Sequence, residues 1–231
     1  MDFNSLLKEI DITLTDRQLE QFHVYFKFLV EYNEVVNLTA ITEEEDVYIK
    51  HFYDSILLSK VINLSEIKTL CDVGAGAGFP SIPLKILFPE LNVTIVDGLD
   101  KRIKFLNLLC DKLGVQGVNL VHGRAEDYAK THRESFDVVT ARAVARFNIL
   151  NELCIPLVKV GGCFVSMKGK NAQEEIVEGN SLNLLNGQII KQEEYYLPKE
   201  ESKRVLIVIK HFKECPKKYP RAFASIKKNP L

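Results

Sequence analysis

Three glycines at alternate positions, Gly74, Gly76 and Gly78, break the apolar run Thr69-Leu-Cys-Asp-Val73 where it passes into a helix-forming stretch. Lacking a Cβ, they let the backbone turn sharply at positive φ and let a ligand approach the N–H groups of the next helix. Asp97 closes a second β-rich run, Asn92-Val-Thr-Ile-Val-Asp97, 23 residues beyond Gly74. In Rossmann-type sites an acidic side chain about 20 residues on accepts hydrogen bonds from ribose hydroxyls; the competing role for Asp97 is to cap the helix that follows. Ala125 and Glu126 follow a third such run, where folds of this kind read an adenine, and Arg142 follows a fourth. His51, Asp54 and Ser55 share a helical face at i, i+3 and i+4. Helical spacing is not the geometry of a hydrolase triad, and no G-x-S-x-G elbow is present. The cluster reads as a hydrogen-bond network lining a pocket, or as a substrate contact.

The elements that must hold these residues are legible from periodicity. Thr15-Asp-Arg-Gln18 is a capping box, and Leu19, Phe22, Phe26, Leu29 and Val30 recur at helical spacing to about Glu34. Thr42 with Glu45 forms a second capping box, predicting a helix through about Leu58. Ser81 to Phe88 and Lys101 to Leu113 are crossover helices, the latter stopped by Gly114. Val118 to His122 and Phe136 to Thr140 are strands, and Pro156 to Lys168 reads as a helix end, a Gly161-Gly162 turn and a fifth strand. Gly187 to Leu197 and Lys203 to His211, separated by Pro198, suggest an antiparallel hairpin. Five βα units and a hairpin imply one mostly parallel sheet with helices on both faces. The expected division is a helical extension over 1–65 packed on the core, a ligand-binding core over 66–212 and a basic tail over 213–231, extended in form.

Bulk properties narrow the class. At 231 residues, 46% apolar and 26% charged, the chain is long enough for one respectable core. No apolar run approaches a membrane span and Met1-Asp-Phe-Asn-Ser5 lacks a secretory start, so a cytoplasmic protein that needs no membrane is expected. Five cysteines, scattered and never C-x-x-C, indicate neither a disulfide framework nor a metal site. The net charge of −1 hides ten Lys/Arg against three Asp/Glu between Lys199 and Lys228. Such a tail suits either a polyanionic partner or a solubilising terminus. Phe79 stands where the dinucleotide fingerprint wants its third glycine, which disfavours a nicotinamide dehydrogenase.

The spacing G-x-G-x-G resembles the first motif of Rossmann-like methyltransferases that use S-adenosylmethionine (SAM). Nearly the whole chain resembles the bacterial small-subunit ribosomal RNA methyltransferase G family, also called glucose-inhibited division protein B. The matching residues are Asn37-Leu-Thr-Ala-Ile41, His51 with Asp54-Ser55, Asp72 through Pro80, Lys101-Arg-Ile103 with Phe105-Leu106, Arg124-Ala-Glu126, Phe136-Asp137 with Arg142-Ala143, Gly161-Gly162 with Lys168-Gly169, and Tyr219-Pro-Arg221 before Lys228-Asn-Pro-Leu231. Ser81, Asp97-Gly98 and Ala224-Ser225 depart from the family pattern.

The resemblance implies a class I SAM methyltransferase fold with a mostly parallel seven-stranded sheet, a terminal antiparallel hairpin and an N-terminal helical extension. It implies transfer of the SAM methyl group to N7 of guanine 527 in the decoding-region loop of 16S rRNA, with that RNA, free or within an assembling or complete small ribosomal subunit, as the partner; a monomer is expected. On that resemblance Gly74, Ala75, Gly76, Gly78 and Phe79 line the methionine side of SAM, Asp97, Gly98 and Leu99 hold the ribose, and Ala125 and Glu126 sit at the adenine. Arg142 closes the pocket mouth as the catalytic group, and Asn37, Arg146, Lys168 and Arg221 meet the RNA; the competing role for Lys168 is that of a solvated lysine at a strand end. N7 has a lone pair and no proton, so attack needs alignment and electrostatics but no general base. The chain accordingly has no Asn/Asp-Pro-Pro-aromatic motif, and Cys154 sits in Cys-Ile-Pro instead of Pro-Cys. The alternatives are a SAM enzyme acting on a protein or small molecule, and a non-catalytic RNA-binding or ribosome assembly factor that keeps the fold.

Overall fold

The computed structural model describes residues 2–142, 145–177, 180–200 and 203–231. In chain order it contains α1 (Phe3–Lys8), α2 (Asp16–Asn33), α3 (Glu44–Val47), α4 (Asp54–Ile56), β1 (Thr69–Val73), α5 (Ser81–Leu87), β2 (Asn92–Asp97), α6 (Asp100–Leu113), β3 (Val118–His122), α7 (Ala125–Thr131), β4 (Phe136–Arg142), α8 (Phe147–Cys154), β5 (Val158–Lys168), α9 (Ala172–Val177), α10 (Ser181–Leu184), β6 (Gly187–Tyr196), β7 (Lys203–His211) and α11 (Phe223–Lys228). The strands form one sheet in the order β3-β2-β1-β4-β5-β7-β6. The first five run parallel, and β7 and β6 are antiparallel additions. Apolar runs such as Leu70-Cys71 and Val93 to Val96 are buried on both faces because helices cover both. The strand order reverses between β1 and β4, so a crevice opens beyond their carboxyl ends.

The helical extension is fastened to this sheet by its own polar and aromatic side chains. Thr15 and Gln18 close the capping box reciprocally, with backbone N–H groups donating at 3.3 and 2.9 Å. Gln18 and Gln21 then reach across to donate to the carbonyls of Ile86 and Leu113, at the ends of α5 and α6. Phe28 stacks on Phe105, and Tyr25 stacks on Phe79 while its hydroxyl donates to the Ala77 carbonyl at 2.6 Å. Phe22, Tyr25 and Phe52 are fully buried, each stabilising the fold by roughly 2–3 kcal/mol.

Three local expectations are overturned. Thr42 and Glu45 do not cap a helix; α3 begins after Glu43, with no side-chain cap bond. The single helix to Leu58 is instead α3, a π-helical stretch Tyr48–Tyr53, α4 and a 3₁₀ turn Leu57–Lys60. The wide turn lets Ile49, His51, Phe52 and Tyr53 all be buried, which regular 3.6-residue spacing does not allow from one narrow face. Gly161-Gly162 is no turn, because β5 runs through it and a register shift against β4 between Phe136 and Val138 absorbs the irregularity.

The tail is docked, not extended. Tyr219 and Ile226 are buried with Cys215 among Phe136, Phe147 and Leu150, and Arg133 donates to the carbonyls of Tyr219 and Cys215. All five cysteines are free thiols, four of them buried.

Candidate functional site

A cavity of about 480 Å³ opens at the carboxyl ends of β1 and β2. The glycine turn forms its floor. Gly74 donates its N–H to the Val96 carbonyl at 2.8 Å, tying the turn to β2. Gly76 lines the cavity at φ +63°, and an added Cβ there meets nothing within 4 Å. Gly78 faces the other way. At φ +100° its missing Cβ leaves room for Ile82, the Tyr25 hydroxyl and Leu106, which a methyl would meet at 2.8–2.9 Å. Gly76 is therefore the glycine that faces the cavity, and Gly78 the one the packing requires.

Asp97 is buried at the tip of β2 and borders the cavity. Its Oδ2 accepts the Gly76 N–H at 3.1 Å and the Arg102 Nη1–H at 3.3 Å, and its Oδ1 accepts the Leu99 N–H at 3.0 Å. A carboxylate offers about four lone-pair positions, so one remains for a ligand hydroxyl. The helix α6 is capped by Leu99, so Asp97 is not an N-cap.

Arg142 stands between two halves of the molecule. It ends β4, and its Nη1 donates to Asp54 Oδ2 at 2.9 Å and to the Lys50 carbonyl at 3.2 Å. Its Nη2 lies 3.3 Å from His51 Nδ1, and the guanidinium sits 5.0 Å from the centre of the Phe79 ring, on which His51 is also stacked. Because Arg142 can only donate, His51 Nδ1 accepts, which places the imidazole proton on Nε2, 2.8 Å from Thr39 Oγ1. Burial, reinforced by the Arg142 charge, lowers the His51 pKa to about 3, so the ring is neutral at physiological pH. Ser55 Oγ turns back to the His51 carbonyl at 2.5 Å and holds the π turn. The sequence cluster is thus a scaffold for Arg142.

The family model of rRNA small subunit methyltransferase G (GidB) matches residues 18–204. The chain belongs to the rRNA small subunit methyltransferase G family. Two curated family members, from Bacillus cereus strain B4264 and Bacillus thuringiensis strain Al Hakam, are each 54% identical over 232 aligned residues, covering 99% of this chain and 97% of theirs. Among solved structures, the SAM-dependent O-methyltransferase of Thermotoga maritima superposes with a TM-score of 0.57 at 14% identity, covering 80% of this chain and 72% of that one. TYW2 of M. jannaschii in complex with AdoMet gives 0.54 at 14% identity, over 69% and 77%. At these identities the likeness is one of fold, and it is the Rossmann-like fold of SAM-dependent methyltransferases.

Against this methyltransferase G framework the predicted residues fall into groups. Gly74, Ala75, Gly76, Phe79, Asp97, Gly98, Leu99 and Arg142 border the cavity, whereas Gly78, Ala125 and Glu126 do not. Ala125 and Glu126 are buried behind its wall, where Glu126 accepts from Arg124 Nε at 3.2 Å. Asn37 is exposed in the loop after α2. Lys168 is neither free for phosphate nor solvated, because it is buried and its ammonium donates to the Ala145 carbonyl at 2.6 Å and to Glu175 at 2.7 Å. Arg146 and Lys168 line a neighbouring cavity. Arg221 is committed elsewhere, donating through its backbone N–H, Nε and Nη2 to the fully buried Glu152 carboxylate. A buried carboxylate requires such a partner, so Arg221 is structural. Ala143 and Val144, part of the run followed from β4, lie outside the described residues.

Sequence reasoning missed Leu38, Thr39, Arg102 and Arg124, which border the cavity too. Arg102 carried a signal, since it follows Asp97 at the start of a helix, one turn from where that carboxylate must point. Among the described residues no cluster of His, Cys, Asp or Glu is placed to hold a metal, and no helix is long and apolar enough to cross a membrane.

Proposed function

We propose that the protein transfers a methyl group from SAM to N7 of one guanine in the decoding-region loop of 16S rRNA, by in-line displacement without a general base. The cavity suits SAM in size and donor set. Gly76 leaves open space over the turn, Asp97 keeps a lone pair for a ribose hydroxyl, and among the described residues the buried Arg102 Nε–H has no protein partner to compete with a ligand acceptor. When bound, SAM supplies a sulfonium-activated methyl carbon that passes to the nucleophile as the C–S bond breaks, leaving a neutral thioether and a cationic base.

The observation that carries the reading is His51. It is the histidine bordering the cavity, and both of its ring nitrogens are engaged, one by Thr39 and one by Arg142. No lone pair is left to take a proton, so this wall suits a nucleophile that has none to lose. Guanine N7 is such an atom, and its neighbour O6 is an acceptor. Arg142 uses three of its five N–H donors on Asp54, Lys50 and His51, which leaves Nε–H and one Nη2–H for O6. Its role is to hold the base and to favour the charge that develops on it.

The test is to incubate the purified protein with labelled SAM and small subunits from cells lacking the gene, then to digest the 16S rRNA and identify the labelled nucleoside. One 7-methylguanosine per rRNA is expected. Label in another nucleoside, or in ribosomal protein, overturns the proposal, and full activity in Arg142→Ala removes the role given to Arg142.

A further inference from the structure

A second cavity, of about 570 Å³, adjoins the first and shares His51 and Arg142 with it. Its apolar lining includes Ile41 from the loop before α3 and the cross-strand pair Met167 and Leu206 of β5 and β7. Its two carboxylates differ. Asp54 is spoken for at both oxygens, by Arg142 at 2.9 Å and Arg204 at 3.3 Å. Glu175 receives Lys168 Nζ at 2.7 Å and the Phe147 N–H at 2.8 Å, both on Oε2. Its Oε1 takes neither bond.

We infer that this second cavity receives the target guanine, turned out of its RNA, with the N7/O6 edge at Arg142 and the N1–H/N2–H₂ edge on the Glu175 carboxylate. The inference rests on the guanine-N7 reading above. The shared wall fixes the orientation: an atom that is to meet a methyl group in the first cavity must face Arg142, so the pairing edge of the base is turned toward the rest of the second. Among the four RNA bases, guanine alone presents two adjacent donors on that edge. Adenine would set the N1 lone pair, and cytosine the N3 lone pair, against a carboxylate, a repulsion that rejects both. Enzymes that modify a base commonly extrude it into a pocket and read this edge by hydrogen bonds. Lys168, held by Ala145 and Glu175, is on this account a positioning residue that fixes the carboxylate.

The test uses the full-length protein and a decoding-loop RNA whose target guanine is replaced by inosine, which keeps N7, O6 and N1–H but lacks the 2-amino group. Wild type should methylate guanine at least ~10-fold more efficiently than inosine, the loss of one charge-assisted hydrogen bond. Glu175→Gln turns a donor toward the base, so its guanine rate should fall ~10-fold or more and its guanine-to-inosine ratio should approach one, with SAM affinity by calorimetry unchanged. A purely structural role for Glu175 would lower both rates together and leave the ratio alone. Glu175→Asp, which keeps the charge but withdraws it by one methylene, carries the same comparison if the glutamine variant does not fold. A wild-type ratio near one, or a variant ratio within twofold of wild type, overturns the inference while leaving the N7 reading standing. No methylation of guanine N7 by the wild type overturns both.

Discussion

Replacing either of two glycines in the turn by alanine separates ligand binding from packing. At Gly78 the added methyl would lie 2.8 Å from Ile82 Cγ1 and from the Tyr25 hydroxyl, and 2.9 Å from Leu106 Cδ2, at φ +100°. Left-handed backbone costs a non-glycine residue about 1–2 kcal/mol, and overpacking of a close-packed core a further 1–3 kcal/mol. Displacement of Tyr25 also threatens its bond to the Ala77 carbonyl, worth about 1 kcal/mol. The total, about 3–6 kcal/mol, converts to a fall in Tm on the order of 10 °C for a chain of this size. At Gly76 the φ is +63° and the methyl meets nothing, so only the backbone cost of about 1–2 kcal/mol applies and Tm should fall by roughly 2–8 °C. That methyl, however, would project into the cavity proposed to hold SAM. Thermal unfolding without ligand, followed by calorimetric titration with SAM, reads both effects. Gly78→Ala should be the less stable variant and Gly76→Ala the weaker binder, losing SAM affinity by at least ~10-fold. The reasoning fails if Gly76→Ala binds SAM like wild type, or if Gly78→Ala melts within about 2 °C of it.

Asp97→Asn should weaken SAM binding by roughly 10- to 100-fold, since one face of the amide cannot accept from both a ribose hydroxyl and the Gly76 and Leu99 N–H groups; calorimetry reads the loss. Arg221→Ala strands the buried Glu152 and should cost about 2–4 kcal/mol, toward the lower end of the range for broken buried pairs because Arg221 itself is partly exposed; faster proteolysis of the tail accompanies it. Acid titration of stability should reveal two opposed groups. His51, whose pKa drops on folding from 6.5 to about 3, loses stabilisation as pH falls through that window, because only the unfolded state takes the proton. Asp72, which burial raises from 3.8 to about 7, does the reverse, favouring the folded state below 3.8 and losing that contribution as pH rises toward 7. Between pH 4 and 6.5 the two offset each other, so denaturant midpoints of wild type should change little, whereas Asp72→Asn should become steadily less stable on acidification and His51→Gln more stable.

Much of the sheet was readable because parallel strands buried on two faces leave unbroken apolar runs. Val118–His122 and Lys203–His211 have the bounds their runs suggest, and Gly114 ends α6 at φ +62° as its type demands. What periodicity cannot carry is a contact between distant segments. The π turn at His51 follows from the need to bury four neighbouring side chains against the sheet, and nothing within six residues announces it. Lys168 and Arg221 looked like phosphate contacts because a basic residue carries no mark of the acid it meets; Glu175 and Glu152 are 7 and 69 residues away. The glycine turn was legible as a tight reversal after a strand, yet its spacing did not tell which glycine faces the cavity, since Gly78 answers to Tyr25, 53 residues earlier.

The fastening of α2 has a consequence for how the chain is made. Its partners at Ala77, Ile86, Phe105 and Leu113 are translated later than α2 itself, so a nascent helix bearing Phe22, Tyr25 and Phe28 must wait while some eighty further residues are added. During that interval its aromatic stripe is sticky and unshielded, the situation in which emerging polypeptides depend on chaperones. Slowing elongation just past Asn33 should therefore lower the soluble yield more than slowing it beyond Leu113, although the finished molecule is the same in both cases.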